Sequence, residues 1–216
     1  MKLNELFPLQ VYINLDSRID RKLQAEEEFK RIGIQPDRIS GQIFNGTNSK
    51  WWNGAIGCLL SHVLCLQMAL KNNSNIMIFE DDVSFLGDNS LKTIETACDE
   101  LSQFDWKMFY LGGNILKPFY QVSQHLAKLN HCQSTVSYSV NINFVEELLK
   151  HIGLPNITAP IDVIYANKII PVYNAYIAVP MCTIQRKGYS DIEDAEVNYP
   201  EYLERRYNEN IVRGKF

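Results

Sequence analysis

The chain has 216 residues, with a hydrophobic fraction of 46%, a charged fraction of 21% and a formal net charge of −4. This length suits one domain with its own core. Nucleic-acid binding depends on neutralising phosphates with Lys and Arg, and these residues are scattered here and outnumbered by Asp and Glu, 21 to 25. The composition therefore excludes a strongly basic nucleic-acid binder and favours an acidic globular enzyme.

The cysteines and the apolar runs bear on the compartment. The five cysteines are odd in number and form no Cys-x-x-Cys pair, so we expect free thiols in a reducing compartment. We see no cluster of Cys and His at the short spacing typical of a zinc site. The first ten residues lack a signal-peptide core, and no apolar run approaches the roughly 20 residues that span a bilayer. These features predict a cytoplasmic enzyme without an integral membrane segment, or a fragment of a larger membrane-targeted protein.

Short apolar strands and longer helices alternate through the first half of the chain. In order, we predict a strand over 9–14, a helix capped by Asp16 or Ser17 and closed by Gly33, a strand over 39–44, a helix over 53–70, a strand over 76–79, a helix over 90–103 and a strand over 108–111. The inner stripe of the first helix would consist of Ile19, Leu23, Phe29 and Ile32. The helix over 53–70 is apolar nearly all round, which predicts a central position.

The second half is less regular. We expect an irregular, partly mobile insertion over 115–131, a strand over 134–141, a helix over 144–152, a short helix over 160–169, a strand region over 173–184 and a polar tail from 191 with a helix over 200–206. The alternation predicts one α/β domain over 1–216, with a mainly parallel sheet flanked by helices on both faces. In such sheets the ligand binds at the carboxyl ends of the strands.

Three adjacent carboxylates, those of Glu80, Asp81 and Asp82, follow the apolar strand over 76–79. Like charges this close raise one another's pKa, so such a cluster is usually held by a cation. Strand alternation places Glu80 and Asp82 on one side of the chain, and two oxygen donors on one side suit Mn²⁺ or Mg²⁺. The alternative is a solvated acidic turn in which an Asp caps the next segment. The buried strand before the triplet favours the metal site.

Several short blocks recur in a characteristic order. They are Ile13-Asn14-Leu15-Asp16 with Arg18 and Arg21, Gly54 to His62 (GAIGCLLSH), Ile78 to Val83 (IFEDDV), Ser137 to Val140 (SYSV) ahead of Leu148-Leu149, Pro160-Ile161-Asp162, and Gly188 to Ile192 (GYSDI). Together they span residues 11–192 and resemble glycosyltransferase family 25. That family includes bacterial lipooligosaccharide galactosyltransferases and the procollagen galactosyltransferases.

This resemblance implies a GT-A-type fold, a UDP-hexose donor, inversion at the anomeric carbon, and a divalent metal. Glu80 and Asp82 would hold Mn²⁺ or Mg²⁺ and the diphosphate. The donor or its pocket would be contacted by Asn14, Leu15, Arg18, Arg21, Ser61, His62, Asp81, Gly112, Gly113 and Gln185. The acceptor would be a hydroxyl of a glycan, a glycolipid or a hydroxylysine-type protein, as in lipopolysaccharide biosynthesis or collagen glycosylation.

Some of these positions also admit a purely structural interpretation. His62 could be a hydrogen-bonded helix histidine, and Arg21 could lie on a solvated helix face. Gly112 and Gly113 either let the backbone approach the sugar or form a simple turn. Trp51 and Trp52 either stack under a sugar ring or anchor the central helix.

The chain departs from the family pattern in two places. Ala55 stands where members often carry an acidic residue, so a catalytic or acceptor role of that position is not expected here. No histidine follows His151 that could complete a metal shell as in several GT-A enzymes. Gln185, Ser190 or Asp191 would have to complete the coordination.

Inverting transfer requires a general base that deprotonates the acceptor hydroxyl. Asp162, just after Pro160, is the first candidate, and Asp191 is the second. The alternative for Asp162 is an ordinary capping acid at a helix end. Two other functions compete with transfer: a catalytically silent relative that binds a partner, and an unrelated metal-dependent phosphohydrolase. The intact acidic triplet within the ordered blocks favours the transferase.

Overall fold

The protein is described by a computed structural model that covers residues 1–215. Its helices are α1 (Leu3–Leu6), α2 (Ile19–Ile32), α3 (Lys50–Asn72), α4 (Ser90–Leu101), α5 (Ile142–Ile152), α6 (Ile161–Ile164), which continues as a π-helix over Tyr165–Ile169, and α7 (Pro200–Asn210). Its strands are β1 (Leu9–Asn14), β2 (Asp37–Ser40), β3 (Ile76–Glu80), β4 (Val83–Phe85), β5 (Met108–Tyr110), β6 (Phe119–Gln121), β7 (Leu126–Lys128), β8 (Ser137–Val140), β9 (Ala175–Ala178), β10 (Thr183–Gln185), β11 (Gly188–Ser190), β12 (Ala195–Val197) and β13 (Ile211–Val212).

A nine-stranded sheet organises the molecule, in the order β13-β6-β7-β9-β5-β8-β3-β1-β2. Strands β7 and β8 pair antiparallel with both of their neighbours, whereas every other pair is parallel, so seven strands share one direction. Helices α3, α5, α6 and α7 contribute to the core on one face, and α1, α2 and α4 to the core on the other. The predicted mixed, mainly parallel sheet flanked by helices is confirmed.

Strand β3 shows why the sheet is covered on both faces. Successive side chains of a strand point to opposite faces, so Ile76 and Ile78 join one core while Met77 and Phe79 join the other. All four side chains are fully buried. Such a strand cannot lie at a solvent-exposed face, and it carries the acidic triplet into the middle of the sheet's carboxyl edge.

Helix α3 is the central helix that its apolar sequence predicted, extended by three residues at its start and two at its end. At 23 residues and a mean hydropathy of 1.5 over its most apolar window, it is long and apolar enough to cross a membrane by length and composition alone, a test that buried core helices also pass. Of the residues in that window, 56% are buried inside the protein. Packing against β1, β3 and α5 accounts for its apolar character.

The prediction of an irregular insertion over 115–131 was wrong. This segment forms β6 and β7, which extend the main sheet, and its apolar side chains Phe119, Leu126 and Leu129 are buried. The polar tail is likewise structured: α7 buries Leu203 and Tyr207, and β13 pairs parallel with β6. Each of these short strands depends on a partner distant in sequence, and local periodicity therefore missed them.

Two local predictions around α2 were also wrong. The inner stripe begins later than expected, because Ile19 and Leu23 are 64% and 61% exposed and only Ala25, Phe29 and Ile32 are buried. Arg18, rather than Asp16 or Ser17, occupies the N-cap position and makes no capping hydrogen bond through its side chain.

The strand predicted over 39–44 and the strand region over 173–184 also differ in extent. The former is β2 and ends at Ser40, so that residues 41–46 form a loop. The latter divides into β9 in the main sheet and β10, which pairs antiparallel with β4. This division places Gln185 beside the strand that follows the acidic triplet.

Gly112 offers a test of the packing between β5 and β10. A Cβ at this position would lie 1.9 Å from the carbonyl oxygen of Thr183, so the backbone would have to move. We expect Gly112→Ala to lower the free energy of unfolding by about 1–3 kcal/mol or more, measured by chemical denaturation. Gly188→Ala is the matched control because a Cβ there meets nothing within 4 Å. Equal stabilities of the two variants would contradict this packing.

Candidate functional site

The carboxyl ends of β1 and β3 bring Asn14 and the acidic triplet together. These strands are parallel with Ile13 beside Glu80, so their carboxyl ends share one edge of the sheet. Asn14 donates a hydrogen bond of 2.8 Å from Nδ2 to Asp81 Oδ2, and Arg21 donates one of 2.8 Å to Asp81 Oδ1. Both oxygens of Asp81 are thus engaged by protein donors, which gives this carboxylate a structural role in joining β1 and α2 to the triplet.

Asp82 differs because one of its oxygens is left unpaired. Its Oδ2 accepts a 3.0 Å hydrogen bond from Gln185 Nε2 and lies 3.5 Å from Arg21. Its Oδ1 is buried and has no hydrogen-bond partner among residues 1–215. Burial, reinforced by the charge of Glu80, raises the pKa of Asp82 to about 7, although Arg21 acts in the opposite direction. A buried carboxylate oxygen without a donor is what a cation would satisfy.

Glu80 is held by Thr135 and His62. Thr135 Oγ1 donates a 2.5 Å hydrogen bond to Glu80 Oε1, and His62 Nε2 lies 3.2 Å from the same oxygen. Burial raises the pKa of Glu80, but the hydrogen bond and charge of His62, the hydrogen bond from Thr135 and the charge of Arg21 outweigh it, so that the net shift is downward. Glu80 is therefore ionised at a pH where Asp82 still holds a proton.

His62 is the first member of a buried chain of hydrogen bonds. Its Nδ1 lies 3.0 Å from the hydroxyl of Tyr138, which in turn lies 3.3 Å from the hydroxyl of Tyr165. All three side chains are buried. The chain crosses from α3 through β8 to the π-helix that continues α6, and it fixes the orientation of the His62 ring beside Glu80.

Three potential metal ligands meet at this point. The ligand atoms of Cys58, His62 and Glu80 all lie within 4.8 Å of one another. Cys58 and His62 are four residues apart on α3 and therefore share one face of the helix. The group shares Glu80 with the predicted metal pair but does not include Asp82. Our expectation of no clustered Cys and His was wrong, because the third ligand comes from a strand 18 residues further along the chain.

The larger of two adjoining cavities has a volume of about 570 Å³ and lies against the ends of β1 and β3. Predicted site residues make up much of its wall: Asn14, Leu15, Arg21, Ser61, His62, Glu80, Asp81, Asp82, Gln185 and Asp191. The four acidic residues in this wall outnumber Arg21 and Lys50, the two basic residues that line it. An anionic ligand would therefore need an added cation in order to bind here.

The smaller cavity, of about 330 Å³, adjoins the larger one and contains Asp162. The two cavities share five lining residues: Cys58, Glu80, Gln185, Ser190 and Ile192. Trp51 also lines the smaller cavity, is 42% exposed and stacks on Trp52 with ring centroids 5.8 Å apart. Trp52 therefore supports Trp51, which is partly open to solvent, and stacking of a sugar on Trp51 stays a prediction.

Asp162 lies in the first turn of α6, and backbone amides hold its carboxylate. Its Oδ1 accepts a 2.8 Å hydrogen bond from the amide of Val163, and its Oδ2 one of 3.3 Å from the amide of Ser134. Burial raises the pKa of this carboxyl, although the two amides act in the opposite direction. A carboxylate in a cavity with a raised pKa is suited to accept a proton.

Asp191 and Arg18 are engaged with each other. Arg18 forms an ion pair with Asp191 and a second ion pair of 2.8 Å with Asp20. Arg18 is not part of either cavity wall, as far as residues 1–215 are described. Its position fits anchoring of the segment around Asp191 above the larger cavity better than the predicted contact with a nucleotide.

The two glycines after β5 were predicted either to let the backbone approach a sugar or to form a simple turn, and in the structure they pack closely against other parts of the chain. A Cβ at Gly112 would strike Thr183, and one at Gly113 would lie 2.4 Å from Cys132 Sγ. Both glycines are buried, and within the described part of the chain neither belongs to a cavity wall. They are required for packing of the protein against itself.

Sequence reasoning missed most of the loops that complete the cavities. Residues 41–45 form one wall of the larger cavity, and Ser61 positions them by accepting a 2.7 Å hydrogen bond from the amide of Gln42. Gly57 allows this approach, since a Cβ there would lie 2.6 Å from the carbonyl oxygen of Gln42. The glycines of the Gly-x-x-Gly-Cys block were the available signal, and they mark a close contact between helix and loop.

Because the Asp82 carboxylate is buried with one oxygen unpaired, we expect the stability of the metal-free protein to depend on pH. Its pKa is raised from 3.8 to about 7 on folding, so the folded state binds this proton more tightly than the unfolded state. The free energy of unfolding should therefore fall as the pH rises from about 4 to about 7. In EDTA, Asp82→Asn should exceed the wild type in stability by about 1 kcal/mol or more at pH 7.5, with a smaller difference at pH 4.5.

The exposed Asp37 provides the matched control for this measurement. Asp37→Asn should follow the wild-type pH profile when both are unfolded with urea across the same pH series. An Asp82→Asn profile parallel to that of the wild type would show that Asp82 ionises normally in the fold.

Comparison with known proteins adds to this geometry. Residues 47–153 match the family model "Glycosyltransferase family 25 (LPS biosynthesis protein)". The "Putative glycosyltransferase" of Haemophilus influenzae is 31% identical over 133 residues, which is 58% of this chain and 44% of that relative. The chain therefore matches less than half the length of this curated relative.

A solved structure shares the fold. The crystal structure of a glycosyltransferase involved in the glycosylation of the major capsid of PBCV-1 superposes with a TM-score of 0.50 and 11% identity, covering 91% of this chain and 88% of that one. At this identity the likeness concerns the fold, which is GT-A-like as predicted. The matched family segment contains α3 and the acidic triplet, which contribute Cys58 and Glu80 to the walls of both cavities. Residues 47–153 thus match glycosyltransferase family 25, the family that the ordered sequence blocks resemble.

Proposed function

We propose that the protein is a metal-dependent, inverting glycosyltransferase that moves a hexose from a UDP-sugar to a hydroxyl acceptor. One observation carries this proposal: two cavities meet at Glu80, with the unpaired Asp82 oxygen in the larger one and Asp162 in the smaller one. Transfer between two substrates requires such adjoining sites, one for the donor and one for the acceptor. The donor binds in the larger cavity and the acceptor in the smaller one.

The residues of the larger cavity fit a divalent cation. Asp82 Oδ1 is buried without a donor, and the cavity wall is more acidic than basic. Oxygen ligands of this kind suit Mn²⁺ or Mg²⁺, for which Asp82 is the first ligand and Glu80 the second. When bound, the ion neutralises the diphosphate and stabilises its departure. Gln185 donates a hydrogen bond to Asp82 Oδ2, the oxygen that also lies near Arg21. Oδ1 is thereby left for the cation.

The smaller cavity suits a neutral hydroxyl-bearing acceptor. Its lining contains Trp51, whose open ring face suits stacking on a sugar, and neutral polar side chains such as Asn114, Gln133 and Thr135. Acidic residues line it and, among residues 1–215, basic ones do not. A glycan, a glycolipid sugar or a hydroxylysine side chain meets these conditions, whereas a phosphorylated acceptor group would be repelled.

Asp162 is the proposed general base. It lies in the smaller cavity, its carboxylate is fixed by two backbone amides, and its raised pKa favours proton acceptance. Asp191 is the weaker candidate because it belongs to the wall of the larger cavity and is paired with Arg18. The base removes the proton of the acceptor hydroxyl as that oxygen attacks the anomeric carbon from the face opposite the diphosphate.

The metal assignment predicts the behaviour of Asp82→Ala. We expect this variant to lose Mn²⁺-dependent transfer from UDP-hexoses by at least about 100-fold, because the diphosphate loses its cation. In a thermal-shift panel of UDP-galactose, UDP-glucose and related donors, the wild type should be stabilised by its donor only with Mn²⁺ or Mg²⁺ present. Asp37→Ala is the control. Full turnover of Asp82→Ala, with circular dichroism confirming its fold, would remove Asp82 from the metal site.

The two candidate bases are separated by their Asn variants. Asp162→Asn should lower kcat by about 10²–10⁴-fold while the KM for the donor changes little, because only proton transfer is lost. Asp191→Asn should instead raise the donor KM, because the segment above the larger cavity loses its ion pair with Arg18. The reverse pattern in steady-state kinetics would transfer the role of base to Asp191.

The same experiments distinguish the competing functions. A catalytically silent relative would bind the donor without releasing UDP in the presence of any acceptor. A metal-dependent phosphohydrolase would release phosphate from simple esters and would not be stabilised by sugar nucleotides. We expect neither outcome, since neither function needs the second cavity with its own carboxylate.

A further inference from the structure

The group formed by Cys58, His62 and Glu80 lies at the junction of the two cavities and has a different chemistry from the Asp82 site. Its donors are a thiol sulfur, an imidazole nitrogen and a carboxylate oxygen, all within 4.8 Å of one another. Mn²⁺ and Mg²⁺ favour oxygen ligands, whereas sulfur and nitrogen donors select zinc and similar borderline ions. We propose that Cys58, His62 and Glu80 form a zinc-binding site that, when occupied, blocks transfer.

The spacing of the ligand atoms fits tetrahedral coordination. Two nitrogen or oxygen ligands at about 2.0–2.1 Å from a tetrahedral zinc lie about 3.3 Å apart. His62 Nε2 and Glu80 Oε1 are 3.2 Å apart in the protein as it stands. The ion can therefore take the place of the contact between these two groups without a movement of the sheet or the helix. Cys58, one helical turn before His62, supplies the third ligand, and its proton passes to solvent as the thiolate binds.

The surroundings of His62 prepare it for this role. Metal-bound histidines usually hold their second ring nitrogen in a hydrogen bond that fixes the ring. The hydroxyl of Tyr138 is 3.0 Å from His62 Nδ1 and is itself held by Tyr165. This arrangement leaves Nε2 directed at Glu80. The ring is fully buried, so its orientation is set before any ion arrives.

The site is open on the side where a fourth ligand would bind. Cys58 and Glu80 line both cavities, so an ion between them is reached from the substrate side. Three protein ligands and an open position are the arrangement of zinc sites that accept water or substrate. Inhibition follows from Glu80, which this site shares with the proposed donor-metal site; that consequence rests on the proposed function, whereas zinc binding itself does not.

Cobalt provides a direct probe, because a thiolate bound to Co²⁺ gives a charge-transfer absorption in the near ultraviolet. With excess Mg²⁺ present to occupy oxygen sites, one equivalent of Co²⁺ should produce this band in the wild type, and Zn²⁺ should displace it. The band should be lost in Cys58→Ala. In His62→Gln, the apparent affinity for Co²⁺ read from the band should fall at least about 10-fold. Cys65→Ala, which removes a different thiol of α3 that is buried, should retain the band.

The Asp82→Asn variant separates the two proposals. It should retain the cobalt band while losing transfer, since Asp82 is not part of the thiol-containing group. In transfer assays, the ratio of activity with Zn²⁺ to activity without it should be low for the wild type and for Cys65→Ala, and near one for Cys58→Ser. Circular dichroism of each variant confirms its fold.

Two kinds of result would overturn all or part of the inference, and a third would separate it from the proposed function. Absence of the band in the wild type, or its persistence in Cys58→Ala, removes the zinc site. A normal band with unchanged transfer in Zn²⁺ removes the inhibition and leaves the binding site. If the wild type shows no transfer with any donor but binds Co²⁺ through Cys58, the proposed function fails and the zinc site stands.

Discussion

Three consecutive carboxylates at the end of β3, with Asp81 and Asp82 buried and Glu80 partly buried, are the constraint on which the rest of the site depends. Adjacent acids in a low-dielectric setting cannot all ionise without partners. The fold resolves this by sending each to a different neighbour: Glu80 to His62 and Thr135, Asp81 to Asn14 and Arg21, and Asp82 to Gln185. Of these three carboxylates, only that of Asp82 keeps a buried oxygen that has no hydrogen-bond partner among residues 1–215. The electrostatic difficulty thereby becomes a specific place for a cation.

The same distribution of partners explains the two cavities. Because the partners of the triplet come from β1, α2, α3, the loop before β8 and β10, these elements converge around one point. The cavities open on either side of it, with Glu80 and Gln185 in both walls. A donor and an acceptor held in them would meet at the carboxyl edge of the sheet, where α/β folds usually bind their ligands.

Helix α3 contributes more than packing. Its buried face carries Ser61, which fixes the loop over the larger cavity, and His62, which holds Glu80. Its Cys58 reaches the junction of the cavities, so one helix supplies a loop anchor, a carboxylate partner and a soft metal ligand. The proposed response to zinc follows from this arrangement, because His62 both positions Glu80 for the donor metal and belongs to the zinc site.

The sequence by itself determined the central strand and helices, the acidic triplet and the family, because these depend on local periodicity and on contiguous blocks such as GAIGCLLSH and IFEDDV. Tertiary structure alone decided the pairing of β6, β7 and β13, whose partners lie far away in the chain. It also decided that Gly112 and Gly113 serve packing, that Arg18 pairs with Asp191, and that Cys58 and His62 meet Glu80. Such contacts join residues whose separation in sequence carries no periodic signal, so they exist only once the sheet has assembled.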